Sequence, residues 1–102
     1  MESNGIKATE TLELRPLLGL TDGLSKADLE ALTIEAIRDH RHLVDKADKL
    51  FHGLPEDYKL GKSTGGVQHL TYIKASMEMH AQMSVVSTLI KILGYIPKVA
   101  TN

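Results

Sequence analysis

The sequence contains no cysteine and no tryptophan, with one phenylalanine and three tyrosines. Without thiols there can be no disulfide framework, no thiol nucleophile and no thiolate zinc site, and the chain suits a reducing compartment. So few rings leave a core of Leu, Ile, Val, Met and Ala, the material of helix bundles. An excess of charge is also lacking. Twelve Lys plus Arg stand against 13 Asp plus Glu, a formal charge of -1 that gives no general pull towards nucleic acid or an anionic membrane. The segment Met1 to Lys7 is polar and lacks an apolar stretch, so it reads as neither signal peptide nor membrane span. A soluble cytoplasmic protein is expected.

What is present is ordinary globular material: 102 residues, 42% hydrophobic and 25% charged. That length allows one small domain and buries only about two thirds of the unfolded surface, so a partner chain would help a lean core. Residues 1–11 carry no sustained period and are expected to be a flexible tail, leaving 12–102 as a single helical domain. Leu12, Leu14, Leu17, Leu18, Leu20 and Leu24 are interrupted by Pro16, Gly19 and Gly23, which predicts a short helical turn laid across apolar surface.

From Ser25 the pattern becomes helical. Ser25 is a candidate N-cap, and Asp28, Glu30 and Glu35 crowd the positive end of the helix dipole. Leu29, Leu32, Ala36, Ile37, Leu43, Val44, Ala47, Leu50, Phe51 and Leu54 then form one broad stripe, ended by Gly53 and Pro55. The rest of this segment is densely charged, so one face is wet. The connector Gly53 to Gly66 holds Pro55, Gly61, Gly65 and Gly66, with one helical turn expected at Glu56 to Lys59. A second long helix is predicted over roughly Gly66 to Leu93, terminated by Gly94 and Pro97. Between Val67 and Ile96 the only charged residues are Lys74, Glu78 and Lys91, too few for a helix with a whole side in water. This helix must be buried on more than one side.

The predicted fold is therefore all-α: two long antiparallel helices, each about 40 Å, with a short N-terminal helical segment. Its unspent apolar surface predicts pairing as a homodimer with a four-helix core. Met79, Met83, Val86, Leu89, Ile90 and Leu93 are the side chains expected between subunits. At roughly 1.5 to 3 kcal/mol for each, their burial would rival the stability of one subunit. A three-helix monomer closed by the leucine segment is the alternative.

No chemistry is expected. Gly61-Lys62-Ser63-Thr64-Gly65-Gly66 evokes a phosphate loop, yet Glu56 stands where that motif needs glycine, and no strand precedes it. His40 and His42 lie about 200° apart on a helix and cannot share a metal, and there is no His-Glu-x-x-His pair. Ser76, His80 and Ser84 share a face but lack an orienting group and an oxyanion hole. No enzyme activity, metal or cofactor is predicted. Arg38, Arg41, His42, Lys46 and Lys49 make a basic stripe, interleaved with Glu35, Asp39, Asp45 and Asp48. Arg41 with Asp45, and Asp45 with Lys49, read as pairs along a solvated face. The methionines read as core, although an adaptable Met surface can also receive a partner. Leu54 after Gly53, Tyr72 on the flank of the second helix, and Pro97 with Val99 beyond its end are apolar where no core position is demanded, so they are candidate contacts for another protein.

Several strings then matter together: Leu14-Arg15-Pro16-Leu17 with Gly19-Leu20-Thr21, Ala36-Ile37-Arg38 with His40-Arg41, Glu78-Met79-His80-Ala81-Gln82-Met83-Ser84, and Ile92-Leu93-Gly94 with Ile96-Pro97-Lys98-Val99. Their order and spacing from Leu12 onwards resemble TraM, the quorum-sensing antiactivator family of conjugative plasmids. Val67 departs from the family's pattern, which carries proline after the Gly pair, and this leaves the second helix start less sharply set. The resemblance implies an all-helical dimer that binds TraR, a LuxR-type activator responding to an acyl-homoserine lactone, and prevents it from binding promoter DNA. It implies that partner-binding residues fall on Leu54, Tyr72 and Pro97, and that the partner surface is the activator's DNA-binding region. The function so implied is transcriptional antiactivation that represses conjugal transfer genes. A small regulator binding DNA directly through the Arg38 to Lys49 stripe is the second reading.

Overall fold

A computed structural model of the chain describes residues 15–100. The expected tail over 1–11 and the first leucines of the following segment lie outside the described residues. Helix α1 covers residues 15–21, and α2 (Lys26–His52), α3 (Glu56–Lys59) and α4 (Val67–Leu93) follow. No strand occurs among the described residues.

Local chemistry accounts for the boundaries. Thr21 is buried and its hydroxyl donates to the Leu17 carbonyl (2.7 Å), while Leu24 N–H turns back to Thr21 O (3.1 Å). Ser25 then adopts extended dihedrals and accepts a hydrogen bond from Asp28 N–H (3.1 Å), which satisfies one of the unpaired donors at the start of α2. At the other end Lys49 and His52 sit in the last turn, where cations complement the dipole, and Gly53 N–H returns to Lys49 O (3.1 Å). Pro55 follows.

The connector is tied together by backbone bonds. Lys62 N–H and Ser63 N–H both donate to Asp57 O (2.8 and 3.2 Å), so amides that a phosphate loop would turn towards a ligand are engaged within the chain. Gly65 and Gly66 have φ of +88° and +89°, a region that side chains disfavour. Gly66 cannot cap α4 with a side chain. One turn in, His69 Nδ1 accepts the Gly65 N–H at 2.8 Å and anchors the helix entrance. Helix α4 begins at Val67 and ends at Gly94, whose left-handed φ of +95° and N–H bond to Ile90 O (2.8 Å) form a glycine C-cap.

Helices α2 and α4 pack antiparallel along a seam of small residues. Ala36, Ala47 and Ala75 are buried and Thr33 is wholly so, its hydroxyl donating to Leu29 O (2.8 Å). Small side chains let two helices approach, and Gln82 Nε2 reaches across to Ala36 O (3.0 Å). Val86 and Leu89 complete the cluster, with Leu29, Ile37, Val85 and Ile90 packed against it. One cross-helix ion pair, Lys46 Nζ to Glu78 Oε1 (3.8 Å), lies on the surface.

Two sequence expectations are refined here. Val86 and Leu89, expected between subunits, are each 5% exposed within one chain, because the line they share faces the small-residue seam of α2. The four-helix core of a dimer is not part of a single chain, but α4 does keep a second apolar face. Leu70 and Met77 are seven residues apart, roughly opposite Ala75 and Val86 on the helix wheel, and are 59% and 65% exposed. The scarcity of charge in α4 is thus matched by uncovered apolar surface. Beyond Gly94 the chain runs back along α2. Tyr95 donates its hydroxyl to the Glu30 carboxylate, Lys26 Nζ lies 5.1 Å from the Tyr95 ring centre, Pro97 is buried, and Arg41 Nη1 donates to Ala100 O (3.1 Å). Arg41, which the spacing paired with Asp45, is therefore a clasp for this C-terminal strap.

Candidate partner-binding surface

The two flanks of the hairpin differ. On one, Leu17, Leu20 and Thr21 of α1 border a depression of about 350 Å³ whose other walls are Leu32, Ala36 and Asp39 of α2 and Val85 and Leu89 of α4. The other carries a groove of about 330 Å³ towards the tip, where Val44, Ala47, Asp48 and Phe51 of α2 face Tyr72, Ser76 and Met79 of α4. Helical spacing puts Val44, Asp48 and Phe51 on the side of α2 away from Leu32, Glu35 and Asp39, so the two flanks are separate surfaces.

The tip beside this groove is aromatic. The Phe51 and Tyr72 rings are 5.5 Å apart and tilted by 55°, His52 meets Phe51 edge-on at 5.9 Å, and Tyr58 packs against His69 at 5.5 Å. Gln68 Nε2 closes the tip by donating to Gly53 O (2.8 Å). Asp48 is the one charged residue lining the groove, and its side chain is two-thirds exposed. His52 Nδ1 donates to the backbone oxygen of Asp48 (2.8 Å) and lies 3.4 Å from its carboxylate.

The three residues singled out as contacts do not form one patch. Tyr72 is half-buried and presents part of its ring to the groove. Leu54 belongs to the same end of the molecule but is only 4% exposed, packed beneath the tip with its N–H on Phe51 O (3.0 Å). Pro97 is buried in the strap, between the Tyr95 contact with Glu30 and the Ala100 contact with Arg41, and is therefore about 25 to 30 Å from Leu54 by helix rise along α2. Val99 is half-buried beside it. Sequence reasoning placed Phe51 in the core stripe and passed over Asp48 as part of a solvated face. The signal that could have joined them is that Val44, Asp48 and Phe51 recur at helical spacing along one edge of the stripe.

The electrostatics are mild. The Glu30 carboxylate, which accepts the Tyr95 hydroxyl and is itself anionic, pushes that hydroxyl above the ordinary tyrosine range. Among the described residues no group of three His, Asp or Glu is arranged to hold a metal ion. Ser76 lines the groove, His80 is exposed, and Ser84 accepts through its backbone oxygen from Thr88 (2.9 Å). No described helix is long and apolar enough to cross a membrane.

Comparison with known proteins gives a consistent result. A family model described as Prokaryotic Transcriptional repressor TraM matches residues 1–98. The chain is 67% identical over 102 residues, the whole of both chains, to the transcriptional repressor TraM of Agrobacterium fabrum strain C58. It is 60% identical, again over the whole of both, to the transcriptional repressor TraM of Rhizobium radiobacter. Among solved structures it resembles a second quorum sensing antiactivator, TraM2 from A. tumefaciens strain A6, with a TM-score of 0.84 and 62% identity, covering 86% of this chain and 99% of that one.

Proposed function

The chain belongs to the TraM family of prokaryotic transcriptional repressors, and from that premise we propose that it is a stoichiometric antiactivator. In this reading it captures a LuxR-type quorum-sensing activator of the TraR kind by its DNA-binding region and withdraws it from promoter DNA. The observation that carries the reading is the open aromatic groove at the hairpin tip, an apolar surface that none of the described residues covers. Capture needs no turnover. The inhibitor removes free activator by mass action, so inhibition follows inhibitor concentration and sets a threshold below which the signal has no effect. Such a protein works where its target meets DNA, in the cytoplasm.

Tyr72 is the residue we assign to direct contact, and Leu54 and Pro97 act from beneath by fixing the tip and the strap. We also assign the protein to a homodimer. Leu70, Met77 and Met83 are exposed on a helix with few charges, and a second copy would cover them. A two-fold partner lying antiparallel would also bring the strap end of one subunit towards the tip of the other.

The competing reading, direct DNA binding by the Arg38 to Lys49 stripe, is disfavoured by two observations. Acidic residues are interleaved with the stripe, and the Arg41 guanidinium is engaged by the C-terminal strap. A gel-shift separates the two. Excess protein is expected to dissolve an activator–operator complex and to leave operator DNA alone unretarded; retardation of DNA by this protein alone, or an intact activator–DNA complex, refutes antiactivation.

A further inference from the structure

The groove between α2 and α4 has a composition that points to one kind of guest. Its floor and sides are apolar, supplied by Val44 and Met79, and its end is formed by two tilted rings, Phe51 and Tyr72. Among the lining residues the only charge is the Asp48 carboxylate, with the Ser76 hydroxyl across the groove on α4. A single long side chain fits a space of about 330 Å³, whereas a whole helix does not. A purely apolar guest would leave a carboxylate desolvated without compensation, which costs free energy. A long cationic side chain meets all three features, with its methylene stem on Val44 and Met79, its positive head over a ring face, and its hydrogen-bond donors on Asp48.

The geometry points to an arginine side chain of the captured protein as the occupant of the groove framed by Asp48, Phe51 and Tyr72. Arginine is favoured over lysine because a planar guanidinium can stack on a ring and at the same time present paired N–H groups to a carboxylate. His52 borders the site, with Nδ1–H on the Asp48 backbone oxygen and 3.4 Å from the carboxylate, whose side chain is still two-thirds exposed and so has acceptor capacity left for the guest. This rests on the antiactivator reading and gives it a mechanism. Proteins that read DNA hold phosphates and guanine edges largely through arginine, so a pocket that takes one such side chain competes directly with the operator.

The test has two arms. In the first, the chain alone is titrated with ethylguanidinium chloride, and in parallel with ethylammonium chloride at matched ionic strength, while its resonances are followed by NMR. Saturable shifts confined to Asp48, Phe51, Tyr72 and Ser76, about threefold tighter for guanidinium and lost in Asp48→Asn, support the pocket. Shifts scattered over all acidic residues, or unchanged by Asp48→Asn, overturn it. In the second arm a purified LuxR-type activator is titrated by calorimetry against wild type and Asp48→Asn, an exposed substitution whose fold is checked by circular dichroism. Asp48→Asn should weaken capture about tenfold, equivalent to about 1.4 kcal/mol, with a shallower salt dependence. Equal capture by wild type and variant overturns the pocket and leaves the antiactivator reading standing. No capture by wild type, beside a successful guanidinium titration, refutes the antiactivator reading and leaves the pocket standing. A changed oligomeric mass in Asp48→Asn, read by light scattering, overturns the proposal by placing the groove between copies of this chain.

Discussion

Truncating Leu54 separates two accounts of the hairpin tip. If Leu54 acts by touching a partner, Leu54→Ala should cost capture and leave stability alone. With 4% of its surface exposed and its N–H bonded to Phe51 O, it is instead a packed residue holding the first turn of the connector against the helices. Removing a fully buried leucine down to Cβ costs about 2.7 to 5 kcal/mol in rigid cores. The connector can relax around the gap, so the lower end applies, about 2 to 3 kcal/mol. Urea unfolding at fixed protein concentration, with a slope near 1 kcal/mol per molar for a domain this small, should show a midpoint lowered by about 2 to 3 M. Starting from roughly 5 kcal/mol, such a variant remains about 95% folded or better in water, so capture by saturating protein should survive. Tyr72→Ala should behave in the opposite way. It loses a half-exposed ring and its contact with Phe51, about 1 kcal/mol of stability, but most of the capture. The reasoning is refuted if Leu54→Ala lowers stability by less than about 0.5 kcal/mol yet abolishes capture.

Two further outcomes follow from local contacts. His69→Ala leaves the Gly65 N–H without its acceptor, so stability should fall by about 1 kcal/mol and the Gly65 amide should exchange faster, with His69→Asn restoring part of the protection; unchanged exchange in the alanine variant counts against the anchor. Because Glu30 raises the Tyr95 hydroxyl above 10.0, the stabilisation it gives is complete below that value and is lost as pH rises through the higher folded value. Phenolate absorbance, taken as the difference from Tyr95→Phe, should therefore show late ionisation that Glu30→Gln brings back towards the ordinary range; an identical titration in both would remove the strap contact.

Much of the fold was legible because its boundary signals are short-range. Ser25 with Asp28, Gly53 with Pro55, and Gly94 mark helix ends through groups within a turn or two of one another, and they place α2 and α4 within a residue or so of the observed limits. The count of charges in α4 also anticipated that α2 alone would not cover it. What sequence could not supply was the choice between lines on that helix. Val86 and Leu70 are both apolar positions of α4, and only the seam of alanines on α2 decides that Val86 faces inward. Leu54 stood both at the end of the apolar stripe and among the candidate contacts, and its burial shows that the stripe was the better guide to its place in one chain, because the connector folds back over it. The strap was invisible for a similar reason, since Tyr95 and Glu30 are 65 residues apart and Arg41 and Ala100 are 59 apart. The groove mixed Asp48, an apparent surface charge, with Phe51, an apparent core ring, and only their shared edge of α2 joins them.

The most direct test of the account is size-exclusion chromatography with light scattering on a mixture of this protein and a LuxR-type activator. The account predicts a single species heavier than either protein alone, in fixed proportion, that no longer takes up operator DNA. Two separate peaks at their own masses, with inhibitor in excess and the activator still binding its operator, would contradict it.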